Sequence, residues 1–190
     1  MANRNLFVII EGPDNVGKTT LIQNLKNHYN NYTLHSVHYS NVRQNSPEKV
    51  IEYSTKLYTE MFQSMFEMSK YDKAGMIFDR SHLGEMVYGP IYRDYTGEYV
   101  IDIERKFTHV HPIWDNLFLI TLYDEPENLI MRDDGLSFST DLIKKQNEIN
   151  NFKNAHANSL IKHKLLVNIK YNNAEQAADL AIKFINQGTT

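Results

Sequence analysis

Ten consecutive residues near the start of the chain have the clearest potential for chemistry: Glu11 to Thr20, with the sequence EGPDNVGKTT. Gly12 and Gly17 enclose four residues, and Lys18 and Thr19 follow directly, which is the spacing of a phosphate-binding loop. Glycines let backbone N–H groups approach phosphate oxygens, the lysine reaches the outer phosphates, and the threonine hydroxyl can hold Mg²⁺. The loop therefore predicts a nucleoside triphosphate as ligand, with ATP and Mg²⁺ as the expected pair.

A strand and a helix are predicted on either side of the loop, in the order that this motif requires. The apolar run LFVII at residues 6–10 is typical of a buried strand, and apolar residues recur at helical spacing from Thr19 to Tyr29. The amino end of that helix adds partial positive charge next to the loop. The residues expected to contact the donor nucleotide are Gly12, Asp14, Asn15, Val16, Gly17, Lys18, Thr19 and Thr20.

A second group of chemically useful side chains ends the apolar run MIFDR at residues 76–80. Asp79 can orient Mg²⁺ and its waters, and Arg80 can donate two hydrogen bonds to a phosphate group. The alternative is an Asp–Arg pair that only satisfies itself at the end of a strand. Two anion sites that face one metal would suit phosphoryl transfer, because that reaction depends mainly on positioning and charge stabilisation.

Alternating strands and helices must position these groups. Further strands are predicted at 33–38, 76–79, 117–123 and 165–169, and helices at 47–69, 140–161 and 174–185, the last with Asn173 as its N-cap. This alternation indicates an α/β fold with a parallel sheet covered on both faces. Ligands of such sheets bind beyond the carboxyl ends of the strands, so the loop, Asp79 and the segment after Tyr123 should share one rim.

Composition narrows the class of protein. The 190 residues contain no repeat or linker, which predicts one domain spanning residues 1–190. A net charge of −3 and a pI near 6.2 lack the basic excess of a nucleic-acid-binding protein, so no nucleic-acid partner is expected. The chain has no cysteine, and no apolar run approaches the length of a signal peptide or membrane span. We therefore expect a cytoplasmic protein without a membrane partner.

One segment mixes aromatic and basic groups. It contains Tyr92, Arg93, Tyr95 and Tyr99. Such a mixture can stack on nucleic-acid bases. A wall of an acceptor cleft or a contact between two copies of the chain explains it equally well.

The loop EGPDNVGKTT, the pair DR at 79–80 and the segment LYDEPENLIMRDDGLSFS at 122–139 together resemble the thymidylate kinases, in particular small viral members such as those of phages. The resemblance covers nearly the whole chain, and the loop and DR are its specific parts. It implies a P-loop NTPase fold of the nucleoside monophosphate kinase type, with a five-stranded parallel sheet, helices on both faces and a short lid at about residues 131–140. It also implies a homodimer and, for a viral member, the cytoplasm of the host.

The resemblance assigns roles to individual residues on the acceptor side. Asp14 would hold the 3′-hydroxyl of the acceptor sugar, Arg80 its phosphate, and Tyr88 would crowd the 2′ position and favour deoxyribose. Phe66 would stack on the base, with ordinary core packing as the alternative. Arg43 would contact the acceptor phosphate, although SNVRQNS at residues 40–46 lacks the usual EPGG and a solvated arginine explains it equally well.

Two departures from the family pattern affect the expected chemistry. Gly84 and Glu85 stand where many members have Ser or Asn, and an ionised carboxylate at 85 only accepts hydrogen bonds, so it would change which edge of the base is read. A surface charge is the alternative for Glu85. Asn15 stands where some members have a catalytic arginine, so Arg132 in the lid becomes the candidate for stabilising the transferred phosphoryl group, despite the acidic Asp133 and Asp134 beside it.

The expected activity is ATP- and Mg²⁺-dependent transfer of the γ-phosphoryl group to a deoxynucleoside monophosphate, giving the diphosphate. dTMP or a related pyrimidine, dUMP or a modified one, is the expected acceptor. The catalytic residues would be Lys18, Asp79, Arg80 and Arg132, with Thr19 and Asp79 holding the metal. Two alternatives stay open: a deoxynucleoside kinase in which Asp79 acts as base on a 5′-hydroxyl, and a nucleotide-binding regulator without catalysis.

Overall fold

The fold is described from a computed structural model, which covers residues 5–39 and 46–188. Its centre is a sheet of five parallel strands in the order β2-β3-β1-β4-β5. The strands are β1 Leu6–Glu11, β2 Thr33–His38, β3 Ala74–Asp79, β4 Leu117–Tyr123 and β5 His163–Asn168. This confirms the predicted α/β architecture with a five-stranded parallel sheet. Two strands, β2 and β4, have the bounds that the sequence predicted.

Helices connect the strands. The long ones are α1 Lys18–His28, α2 Pro47–Met68, α4 Tyr99–Phe107, α7 Leu142–Asn158 and α8 Ala174–Gly188. The short ones are α3 Gly84–Tyr88, α5 His111–Trp114 and α6 Pro126–Met131, and a π-helical turn, Gly89–Arg93, continues α3. No helix in the two described ranges is long and apolar enough to span a membrane.

The central strand shows how the sheet is covered on both faces. Successive side chains of a strand point to opposite faces. In β1, Val8 and Ile10 pack into a core with α1 and α8, whereas Phe7 and Ile9 pack into a second core with α2, α4 and α7. Every residue of β1 is buried, because helices cover both faces of the sheet.

Local signals fix where three of the long helices begin. Asn173 and Gln176 form the predicted cap of α8: the Gln176 N–H donates to Asn173 Oδ1 at 2.9 Å, and the Asn173 N–H donates to Gln176 Oε1 at 2.9 Å. The α2 helix begins at Pro47 with Ser46 as its cap. The α7 helix begins after Asp141, whose carboxylate accepts the Lys144 N–H at 2.8 Å.

A tight turn places the segment between α3 and α4 against the sheet's carboxyl rim. Gly97 has a φ of +74°, and a Cβ on it would lie 2.3 Å from the Glu85 carbonyl oxygen. Only glycine permits so close an approach of two backbones. The turn therefore holds residues 93–97 against the start of α3.

The carboxyl ends of neighbouring strands meet at one rim, as expected for a parallel sheet. Asp79 at the end of β3 is in register with Ile10 of β1 on one side and with His38 of β2 on the other. The loop that follows Glu11 begins at the same rim. The chain thus brings its two chemically useful segments together, although more than fifty residues separate them in the sequence.

Candidate active site

The loop of residues 12–17 leads from β1 directly into α1, and its shape depends on its first glycine. Gly12 has a φ of +141°, and a Cβ there would lie 2.4 Å from the Leu122 carbonyl oxygen at the end of β4. Gly17 has a φ of +96° and caps α1 without a side-chain hydrogen bond. The first N–H groups of α1 are therefore left for a ligand, and the helix dipole favours an anion.

The Lys18 side chain folds back onto the loop and bonds to its backbone. Its Nζ donates to the carbonyl oxygens of Gly12 at 2.9 Å and Pro13 at 2.7 Å, and the residue is only 7% exposed. Burial, followed by the nearby charge of Arg80, lowers the pKa of Lys18 to about 8. An anion bound in the loop would favour the charged form and raise this pKa again.

Asp79 and Arg80 lie beside the loop, at the end of β3. One carboxylate oxygen of Asp79 hydrogen-bonds to His38 Nδ1 at 2.9 Å, while the other is buried and has no partner among the described residues. Arg80 adopts a left-handed conformation with φ of 69°, and its Nη2 donates to the Asp14 carboxylate. A strained non-glycine residue at this rim fits a functional position better than a structural one.

The loop, the strand ends and the connection between α6 and α7 enclose a cleft of about 600 Å³, here named the main cleft. Lys18, Thr19, Asp79 and Arg80 all line it, so the structure brings together the four groups predicted to hold phosphates and metal. The connection contributes Arg132, Asp134 and Leu136.

The donor set fits Mg²⁺. This ion is usually held by one or two carboxylates together with phosphate oxygens and waters rather than by a cage of protein ligands. The unpaired oxygen of Asp79 and the Thr19 hydroxyl supply such a partial set in the main cleft. Consistently, no cluster of three or more His, Asp or Glu side chains suited to a metal occurs in the parts of the chain that the structure covers.

Arg132 lies between the main cleft and a neighbouring pocket of about 360 Å³, here named the side pocket, and lines both. Its Nη2 donates to the carboxylate of Asp124, a buried residue at the end of β4, and its Nε donates to the Asn128 carbonyl oxygen at 3.0 Å. The side pocket is completed by loop residues and by residues between β5 and α8, Ile169, Asn172 and Asn173 among them. Sequence analysis missed the carboxylate that holds Arg132.

Asn15 links the loop to residues 132–141, the connection that the sequence predicted as a lid. Its Nδ2 donates to Asp133 Oδ1 at 3.1 Å and to Ser137 Oγ at 3.2 Å. Where some thymidylate kinases have a catalytic arginine, this chain therefore has a neutral amide that ties the connection to the loop.

A narrow pocket lies beyond Arg80 and has room for about one water molecule, at about 30 Å³. Its aromatic lining consists of Tyr39, Tyr58, Tyr88 and Phe138. Phe138 comes from the connection and stacks on Tyr92, with ring centroids 5.1 Å apart, and on Tyr88 at 5.2 Å. A ligand larger than water enters this pocket only if Phe138 moves.

Tyr88 is buried in the wall of the narrow pocket. Its hydroxyl has no hydrogen-bond partner among the residues described, and burial, followed by the charge of Asp14, raises its pKa well above the usual value. Asp14 and Arg80 lie close enough to affect it. The three side chains predicted to surround the acceptor sugar and phosphate are thus neighbours.

Glu85 is not a surface charge, which was the alternative for this residue. It is 3% exposed and lines the narrow pocket together with Arg93. Arg93 Nη1 lies 3.2 Å from each of its oxygens, and the Tyr95 hydroxyl also donates to it. From the aromatic and basic segment 92–99, Arg93 therefore lines this pocket, and Tyr95 contacts it through Glu85.

Phe66 lies away from the narrow pocket. It is 41% exposed near the end of α2, with Lys70 Nζ 4.9 Å from its ring centroid. Because α2 runs away from the carboxyl rim, the aromatic side chain that reaches the pocket is Tyr58, eight residues earlier and about 12 Å along the helix. The expectation that Phe66 stacks on a base is wrong in this structure. Arg43, the other predicted acceptor contact, lies outside the described residues.

Glu11 and Ser81 are site residues that sequence analysis missed. Ser81 Oγ donates to Glu11 Oε1 at 2.5 Å, and Oε2 of Glu11 is buried without a partner among the described residues. Burial raises the pKa of Glu11, opposed chiefly by the hydrogen bond from Ser81. A carboxylate directly before the loop was visible in the sequence, but only the fold shows that it borders the narrow pocket.

Comparison with known proteins defines the fold. No protein-family model and no curated protein sequence matches the chain. Among solved structures, the YorR protein from Bacillus subtilis in complex with phosphorylated GDP is similar, with a TM-score of 0.65, 18% identity, and 95% of each chain covered. Thymidylate kinase from Candida albicans gives 0.61 and 14%, over 98% of this chain and 93% of the other.

Deoxyadenosine kinase from M. mycoides, solved with the products dCMP and dCDP, gives a TM-score of 0.52 and 15% identity over 96% of this chain and 99% of the other. At these identities the likeness concerns the fold. The chain therefore has the α/β P-loop fold of nucleotide kinases.

Proposed function

We propose that the protein is a kinase that transfers the γ-phosphoryl group of ATP to a deoxynucleoside monophosphate. The observation that carries this proposal is the presence of two cations, the buried Lys18 and the partly buried Arg80, on one cleft with the Asp79 carboxylate. Transfer between two phosphorylated ligands requires two such anion sites that face each other. A protein that only senses a triphosphate needs one.

Each residue has a role that follows from its chemistry. Lys18 and the N–H groups of the loop hold the donor phosphates, while Arg80 holds the acceptor phosphate. Thr19 and Asp79 would hold Mg²⁺, which would neutralise charge on the donor phosphates. No general base is needed, because the attacking group is already a phosphate oxygen.

The remaining groups fit this arrangement. The side pocket shares Asn15, Gly17 and Thr20 with the main cleft and suits the nucleoside part of the donor. Arg132 lines both and would reach the donor phosphates or the transferred group after release from Asp124. Asp14 and Tyr88 would contact the acceptor sugar.

The resemblance to thymidylate kinases favours a pyrimidine acceptor, dTMP or dUMP, and the similar fold of the Candida albicans enzyme supports it. The homodimer expected from the same resemblance stays a prediction.

A second candidate is phosphorylation of a deoxynucleoside at its 5′-hydroxyl. Its specific support is Glu11, since a buried carboxylate with a raised pKa is suited to act as general base. The Asp79 oxygen without a partner is the other candidate base. The deoxyadenosine kinase fold is similar as well.

One assay separates these functions: ADP release from ATP and Mg²⁺, coupled to an indicator enzyme, over all common nucleosides and nucleoside monophosphates. The proposal predicts turnover with at least one deoxynucleoside monophosphate and none with the corresponding nucleoside. Turnover with the nucleoside alone would establish the second candidate. Tight ATP binding without transfer to any acceptor would indicate a regulator instead.

A further inference from the structure

Charged side chains in a narrow pocket determine which polar groups a ligand must present. Glu11 and Arg80 lie near the strand ends, and the other charged residues that line the pocket are Glu85 and Arg93. Their side chains are 4% and 14% exposed. A nucleotide whose phosphate lies on Arg80 would extend its base among the aromatic side chains of this pocket, where it meets the Glu85–Arg93 pair.

The pair is held in place by the fold. Arg93 Nη1 also hydrogen-bonds to the Tyr95 hydroxyl at 3.1 Å, and that hydroxyl donates to Glu85. Burial, followed by the hydrogen bond to Glu85, raises the pKa of Tyr95 to about 12. The Gly97 turn fixes this segment against the backbone of Glu85. A carboxylate with several fixed partners keeps its orientation when a ligand binds.

The two members of the pair offer opposite hydrogen-bonding functions. An ionised carboxylate only accepts, and a guanidinium only donates. Cytosine matches this order, because its exocyclic amino group can donate to the carboxylate while the adjacent ring nitrogen accepts from the guanidinium. Uracil and thymine place a carbonyl oxygen where cytosine has the amino group, so their lone pairs would face the carboxylate.

Uracil and thymine can present their ring N–H only with a carbonyl oxygen on each side. The Arg93 guanidinium beside Glu85 could donate to one of these carbonyl oxygens. The Tyr95 hydroxyl could not donate to the other, because it already donates to the Glu85 carboxylate. One carbonyl would therefore stay unpaired in a buried site, which is costly. Adenine has an amino group next to a ring acceptor as well, but its second ring would require a larger displacement of Phe138 than a pyrimidine does.

We propose that Glu85, held by Arg93, determines base specificity and selects an amino-bearing pyrimidine, so that the preferred acceptor is dCMP, in place of the dTMP or dUMP that the thymidylate kinase resemblance favours. This inference rests on the proposed function, since it assumes that Phe138 moves aside and that the acceptor base then occupies the narrow pocket. It replaces the base contact that the thymidylate kinase resemblance assigned to Phe66.

Calorimetric titration of the full chain with dCMP and with dUMP tests the inference without any variant. The two ligands differ only at the base edge in question. We expect dCMP to bind at least about tenfold more tightly, because a hydrogen bond to a charged group is the strong kind. Equal affinities, tighter binding of dUMP or dTMP, or no binding of either pyrimidine would overturn the inference.

The variant Glu85→Gln tests the residue itself. Glutamine keeps the shape but offers both a donor and an acceptor, so the preference for dCMP over dUMP should fall at least about fivefold. The matched control is Glu98→Gln, which makes the same change at an exposed position of the neighbouring turn and should leave the preference intact. Circular dichroism and thermal melting show whether each variant folds. An unchanged preference in folded Glu85→Gln would remove Glu85 from base recognition.

The titrations together with the ADP-release assay distinguish failure of the inference from failure of the proposed function. If dCMP binds selectively but ATP and Mg²⁺ do not convert it to the diphosphate, base selection stands and phosphoryl transfer fails. If dTMP or dUMP is phosphorylated in preference to dCMP, phosphoryl transfer stands and base selection fails.

Discussion

The loop at Gly12–Thr19 and the narrow pocket beyond Arg80 present different kinds of chemical group to a ligand. The loop offers backbone N–H groups and one lysine from a single short stretch of sequence. The narrow pocket offers side chains from the ends of β1 and β3, from α2, α3 and the π-helical turn, and from the connection at 132–141. Backbone groups are the same for every sequence, so a loop of this kind binds phosphate whatever the rest of the ligand is. Side chains from separate elements can change one at a time, which makes the pocket the place where specificity is determined.

The largest effect should come from the loop. Lys18→Ala removes the cation that faces the donor phosphates, and we expect kcat/KM to fall by about 10³-fold, at the upper end of the loss from removing one group that stabilises transition-state charge. Steady-state kinetics with ATP and the best acceptor give the value. Lys26→Ala on the same helix is the control and should keep normal activity, because the Lys26 side chain is exposed and donates to Ser36 Oγ at 3.5 Å, away from the cleft. Near-normal turnover of Lys18→Ala would show that the loop is not the donor site.

A smaller effect should come from the acceptor side. Arg80→Lys keeps the charge but loses the planar fork that donates two hydrogen bonds, so we expect the KM of the acceptor to rise about 10²-fold. The KM of ATP should change only a few-fold, since Lys18 and the loop remain. Equal increases in both values would mean that the two halves of the site are not separate.

The pH dependence of donor binding should isolate Lys18. Its pKa is lowered to about 8 in the unliganded protein, so Lys18 is charged below that pH and loses its proton above it. Bound phosphate favours the charged form, and ATP affinity should therefore fall as the pH rises past 8, by about tenfold between pH 7 and pH 9. Adenosine lacks phosphates, and its affinity should stay constant over the same range. A parallel loss of adenosine binding would assign the change to another group.

The smallest effect is expected at Asn15, where the loop that binds the donor meets the connection at 132–141. Asn15→Ala removes two hydrogen bonds to the connection, at 3.1 and 3.2 Å, and should raise the KM values of donor and acceptor about threefold to tenfold. Limited proteolysis should also cut residues 132–141 faster. Asn27→Ala on α1 is the control, since the exposed Asn27 side chain accepts a hydrogen bond from Gln23 on the same helix and does not line the cleft. If the variant affects one substrate alone, the connection does not join the two halves.

The elements that follow a regular pattern were predictable. The buried strand β4 is an apolar run and was found with its bounds, as was the edge strand β2, which is largely exposed. The cap at Asn173 was visible as a local signal. The short helices and the π-helical turn between Gly84 and Trp114 were not predicted, because segments this short show no complete period. Their place in the fold depends on tertiary packing.

The side chains at the site likewise divide into those whose position could be predicted from the sequence and those whose position could not. Asp79 and Arg80 follow a strand, and strands of a parallel sheet end at one rim, so their approach to the loop was predictable. The sequence could not show that Tyr58 rather than Phe66 reaches the narrow pocket. Both residues lie on α2, and only the direction of that helix relative to the rim decides which one lines the pocket. Glu85 and Arg93 likewise meet across the π-helical turn that continues α3, and the Gly97 turn packs against the same backbone.

The sequence by itself determined the loop, its strand and helix, and the acid–arginine pair, because these depend on contacts between residues that are close in the chain or on the shared rim of a parallel sheet. Tertiary structure alone decided three contacts around the site: the ion pair at Glu85, the carboxylate of Asp124 that holds Arg132, and the hydrogen bond that fixes the buried Glu11. Glu11 meets Ser81, which is distant in the chain, whereas the other two pairs are eight residues apart and have no regular spacing that would predict them. The strength of all three contacts comes from burial, which arises only when the helices pack over the sheet.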